Sequence, residues 1–117
     1  MNMSYQNLEV WKLGMDFVEG VYGIIKLLPR QELFCLAAQL QRAVVSVPSN
    51  IAEGYGRNNT NEFRHFLRIA MGSRAEVQTQ LLICVRLRYV TQEQIEPLLQ
   101  LNEMLGRKLY NFIQSLQ

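Results

Sequence analysis

The chain has few of the residues from which catalytic and metal sites are built. Its 117 residues include one histidine, two cysteines, three prolines and seven glycines. Glu62-Phe63-Arg64-His65 has the Glu-x-x-His spacing of di-iron bundles, but that site needs two such motifs and a single histidine cannot supply them. Ser46 and Cys84 have no base tied to them for nucleophilic catalysis, and there is neither a glycine-rich phosphate loop nor a paired-cysteine metal motif. The expectation is a protein without a cofactor that is not an enzyme. Cys35 and Cys84 lie 49 residues apart in apolar neighbourhoods, which reads as two small core residues in a reduced environment. Apolar runs are short, Leu81-Leu82-Ile83-Cys84-Val85 being among the longest, so nothing is expected to span a membrane. The opening Met1-Asn2-Met3-Ser4-Tyr5-Gln6 lacks a basic stretch followed by an apolar block, and a cytoplasmic location is expected.

What is present is an ordinary globular balance, 49% hydrophobic and 19% charged, long enough for one domain over residues 1–117. The charge is unevenly distributed. Residues 1–41 and 89–117 each carry a net −1, whereas residues 42–88 carry +4, and every basic residue of that middle segment is Arg. Guanidinium forks match phosphates and carboxylates better than ammonium groups do.

The periodicity is helical throughout, with no strand alternation. Leu8, Trp11, Met15, Val18, Tyr22 and Ile25 step by three and four, and beside them run Val10, Gly14, Phe17, Val21, Ile24 and Leu28. A small antiparallel bundle covers one such row and part of the next. The remainder predicts a second copy of the chain, with Trp11, Phe17, Val21, Ile24 and Leu28 as interface candidates. Helices are expected at about residues 6–28, 32–55, 61–88 and 92–115, an all-α up-and-down four-helix bundle with short loops. Pro48 should kink the second helix, and Gly72-Ser73 should allow a close crossing of the third. Asn59 or Thr60 should cap the third helix, and Thr91-Gln92-Glu93-Gln94 fits a capping box for the fourth, whose first turn Pro97 would set apart.

Two polar patterns stand out. Gln39, Arg42, Ser46, Ser49, Asn50, Glu53 and Arg57 form a stripe opposite the apolar face of the second helix. It is either an exposed face of short side chains or a partly buried network in which Arg42 and Glu53 pair. On the third helix, Arg68 and Arg86 lie 18 residues apart, which is five turns, with Arg64 one turn earlier. Such a row, about 27 Å from Arg68 to Arg86 at the standard rise, could follow a phosphate backbone, so these three arginines are the nucleic-acid candidates.

The run Gln39-Leu40-Gln41-Arg42-Ala43-Val44-Val45-Ser46-Val47-Pro48-Ser49-Asn50-Ile51-Ala52-Glu53-Gly54 carries a resemblance. With Leu8-Glu9-Val10-Trp11-Lys12 before it and Glu62-Phe63, Phe66-Leu67, Ala70, Gly72-Ser73 and Ala75-Glu76 after it, the chain resembles the bacterial 23S ribosomal-RNA intervening-sequence proteins. That family includes the accessory variability determinant protein of diversity-generating retroelements. The resemblance implies a protomer that assembles as a ring-shaped homopentamer, and partners that include RNA or DNA and a reverse transcriptase. The sequence departs from the family at Met71 and Arg74, where basic and apolar residues are usual. That exchange puts Arg74 at the azimuth of Phe63, Ala70 and Leu81, where it needs a buried partner. Two functions follow as expectations: a nucleic-acid-binding accessory protein, or a protein-interaction scaffold that binds no nucleic acid.

Overall fold

A computed structural model describes residues 4–116, so Met1–Met3 and Gln117, the two ends of the expected single domain, lie outside the described residues. Four helices carry the fold: α1 Glu9–Ile25, α2 Leu36–Gly56, α3 Thr60–Arg86 and α4 Gln92–Ser115. Each packs on its neighbours in a closed square, α1 on α2 and α4, and α3 on α2 and α4. The bundle measures 45 × 24 × 24 Å, and no strand occurs among the described residues.

The helix ends follow from local hydrogen bonding. Ser4 caps a single 3-10 turn at Tyr5–Asn7, so α1 starts at Glu9 and not at the expected residue 6. Pro29 opens a second such turn at Arg30–Glu32, which delays α2 from the expected residue 32 to Leu36. Cys35 offers no capping side chain there, and the Glu32 carboxylate accepts from the Leu36 N–H at 3.2 Å instead. Asn59 accepts from the Glu62 N–H at 3.0 Å and starts α3. The capping box forms as expected, with Thr91 and Gln94 each accepting from the other's N–H. The fourth helix then runs unbroken from Gln92 through Pro97, so its first turn is not separate. An exposed proline there removes one backbone donor without interrupting the core. At the other end of α3, Arg88 adopts a left-handed conformation at φ 66°. Its N–H reaches Val85 O at 2.9 Å while that of Tyr89 reaches Cys84 O at 3.0 Å. This pair of bonds is a Schellman cap, usually built on glycine.

The core takes the Val10–Ile24 row of α1, together with Leu40, Val44, Val47 and Ile51 of α2. From the other side come Leu67, Ala70, Val77, Leu81 and Cys84 of α3, and Ile95, Leu105 and Leu109 of α4. Phe17, Val21 and Ile24 are therefore protomer core, at 0%, 0% and 5% exposure, and not the intersubunit surface expected of them. The flanking row is the one left outside: Met15 and Tyr22 are exposed, and Trp11 is half-buried, as is Leu28 at the end of the inner row. α2 continues as one helix through Pro48, whose ring packs on Gly14. Of the expected Gly72-Ser73 crossing, Gly72 is exposed with no atom near its missing Cβ, whereas Ser73 meets Ser46 of α2 hydroxyl to hydroxyl at 2.8 Å. A second close approach of α2 and α3 lies at Gly54, where a Cβ would come within 2.7 Å of Phe66 Cβ. None of the helices among the described residues is long and apolar enough to cross a membrane.

Candidate nucleic-acid interface

Packing of Leu67, Ala70, Val77, Leu81 and Cys84 into the core sets which side chains of α3 face outward. Arg68 and Arg86 are exposed on that side, and neither makes a hydrogen bond or ion pair among the described residues. Between them the outward positions Gly72, Ala75 and Thr79 are exposed and short, and the exposed apolar side chains of Leu82 and Ile83 flank the line beside the Arg86 end. A strip of this kind lets an extended anionic chain lie close to the helix.

Arg64 does not join them. It is half-buried, and one of its N–H groups donates to the Leu116 carbonyl at 2.6 Å while another donates to Asn61. The Leu116 carbonyl follows the end of α4, where the helix dipole concentrates negative charge. Arg64 is thus a cap on a neighbouring helix.

The polar stripe of α2 is split. Arg42 and Glu53 do not pair, because three turns separate them by about 16 Å along the axis. A shared azimuth is not proximity. Both side chains are exposed. Glu53 pairs with Arg57 at 2.8 Å, and Arg57 also approaches Glu62 at 3.5 Å and lies over the Phe66 ring at 5.0 Å. Ser46 shares a 2.8 Å hydrogen bond with Ser73 across α2 and α3, and Asn50 donates to both the carbonyl and the hydroxyl of Ser46. Gln39 and Arg42 line a polar cleft of about 200 Å³ beside this pair, with Glu76 opposite. This seam carries charges of both signs and has no net attraction for an anionic chain.

Arg74 finds the partner that its position demands. Its Nε–H donates to Asn102 Oδ1 at 2.8 Å, and Asn102 is fully buried on α4. The spacing does place Asn102 on the buried face, in the three-and-four row of Ile95, Leu98, Leu105 and Leu109, but a search for apolar residues alone passes over it. Burial lowers the pKa of Arg74.

No group of three or more His, Cys, Asp or Glu gathers among the described residues in a way that could hold a metal. Glu62 is engaged with Arg57, and His65 is exposed with its ring edge-on to Phe66 at 5.5 Å. Cys84 is buried, and desolvation followed by the nearby Glu32 charge pushes its thiol up to about 11. Cys35, in contrast, is exposed and not the core residue expected.

Fold and surface together define a class: a small four-helix bundle with two unpaired arginines on the outward side of one long helix. The chain belongs to the 23S rRNA-intervening sequence protein family, whose sequence model matches residues 6–111. A similar solved structure is that of a protein of unknown function from the S23 ribosomal protein family of Bacteroides thetaiotaomicron. It is 25% identical with a TM-score of 0.81, over 89% of this chain and 97% of that one. No curated protein matches the chain.

Proposed function

We propose that the protein is a non-enzymatic, self-assembling accessory protein that binds RNA or DNA through the outward side of α3. The observation that supports this most is the state of Arg68 and Arg86: exposed, collinear, and without any carboxylate or hydrogen-bond acceptor among the described residues. Aromatic side chains do not alternate with these arginines, so the protein would hold phosphates and not stacked bases. Binding would be largely independent of sequence and would weaken steeply with salt as counterions are released. The test is a titration against RNA and duplex DNA at several salt concentrations. Wild-type protein should bind at about 50 mM salt, and replacing Arg68 and Arg86 by Gln should lower the salt slope by about one for each phosphate no longer neutralised. Absence of wild-type binding at that salt would refute the reading.

Self-assembly, as the homopentamer that family resemblance suggests, is supported by the apolar groove between α1 and α2. The groove encloses about 350 Å³ between Trp11, Met15 and Val18 on one wall and Val45, Pro48 and Ala52 on the other. If nucleic-acid binding fails, the same groove supports the second reading, a protein-interaction scaffold. A reverse transcriptase is the protein partner that resemblance to the retroelement accessory proteins puts first for a pull-down.

A further inference from the structure

The α3–α4 side holds a charge without a counter-ion. The guanidinium of Arg74 lies across the backbone of Gly106, where an added Cβ would stand 2.7 Å from Arg74 Cζ and 2.8 Å from Nη1. Only glycine at 106 leaves room for that placement. Asn102 holds the fork at Nε, and is itself held by donating to Arg74 O at 3.2 Å and to Gln78 Oε1 at 2.9 Å. A further N–H of Arg74 meets only the Met71 sulfur at 3.5 Å, a weak acceptor. Among the described residues no carboxylate lies within ion-pair distance of Arg74; Glu103, in the same groove, is paired with Arg107 at 3.5 Å. The groove has a volume of about 430 Å³, and Arg107, Tyr110 and Asn111 stand on its rim. A partly desolvated cation that is fixed in place and lacks an anion is costly to keep unless an anion arrives.

We propose that this groove is an oxyanion site that takes a phosphate group, with Arg74 as the fixed fork and Arg107, Tyr110 and Asn111 as donors from the rim. A phosphate offers oxygens on several sides at once and so can accept from the fork and the rim together, whereas a planar carboxylate presents two. The site stands on its own geometry; only the idea that its phosphate belongs to a nucleic-acid chain rests on the function proposed above.

Two variants of the full chain test it. Gly106→Ala moves only the flexible end of Arg74 and should leave the fold intact, checked by Tm. Arg74→Lys keeps the charge and removes the fork. Each protein is titrated calorimetrically with inorganic phosphate, and separately with a short 5′-phosphorylated RNA. Wild type should bind inorganic phosphate, and both variants should bind it at least about tenfold more weakly, the loss expected for a charge-assisted fork. Wild type that ignores inorganic phosphate, or variants that bind it equally well, would overturn the proposal. Phosphate bound without RNA would keep the site and refute the nucleic-acid reading. RNA binding untouched in both variants, with no phosphate bound, would do the reverse.

Discussion

Arg64 and Arg68 stand one turn apart on α3 and do different things. Arg64 is spent on the end of α4, so Arg64→Gln should cost about 1 kcal/mol, the upper range for a charge at an exposed helix terminus, while leaving the salt slope of nucleic-acid binding unchanged. Arg68→Gln should do the opposite, lowering the slope with stability within about 0.5 kcal/mol of wild type. Urea unfolding and a salt series on the two variants would separate the roles. The shared azimuth of these arginines was legible in the spacing. The bond from Arg64 to a carbonyl 52 residues away was not, because periodicity reports which face a residue is on and never what stands opposite. Arg42 and Glu53 show the same limit within a single helix. Tyr89 gives a pH-dependent case. Its hydroxyl donates to Glu32 at 2.8 Å, tying the α1–α2 loop to the end of α3, and that bond raises its pKa above the usual 10.0. A folded-state pKa raised in this way means the protonated form is the one stabilised. The contribution is complete below pH 10 and disappears as pH rises through the raised value. Tyr89→Phe should therefore have a lower Tm than wild type at neutral pH, with the gap closing in strongly alkaline buffer.

At the level of helices, glycines of opposite consequence test the packing. Gly54→Ala drives a methyl into Phe66 and Phe63 at the α2–α3 crossing and should destabilise by about 1–3 kcal/mol, the usual cost of overpacking. Gly72→Ala meets nothing and should stabilise by about 0.5–1 kcal/mol through helix propensity. Both follow from chemical denaturation; equal effects would mean that the crossing is not where the Cβ distances place it. Arg88→Gly should stabilise by up to about 1 kcal/mol, since the cap needs a left-handed residue and arginine resists that conformation. Helix number, type and the Asn59 and Thr91 caps were legible because each depends on residues within one turn. The late start of α2 was not, because a carboxylate four residues upstream did the capping. The two apolar rows of α1 were also visible, but which row faces inward is decided by where α2 and α4 sit.

For the whole molecule, the apolar surface left over is what assembly would cover. Light scattering on eluted protein should give a mass several times 13.6 kDa, five times in the ring form, and a monodisperse species at 13.6 kDa would refute assembly. Val45→Glu, at a position 40% exposed in the α1–α2 groove, should shift the protein toward monomer with its helical circular dichroism retained. The two thiols offer a further measurement on the intact bundle. Cys35 is open to solvent, whereas Cys84 is enclosed beneath the end of α3 and holds its proton tightly. A maleimide should therefore react with them on separate timescales, immediately at one and only during transient opening at the other. Each molecule thus contains its own clock and reference, and the ratio of the two labelling rates would report how often that end of the bundle comes apart, with and without a bound partner.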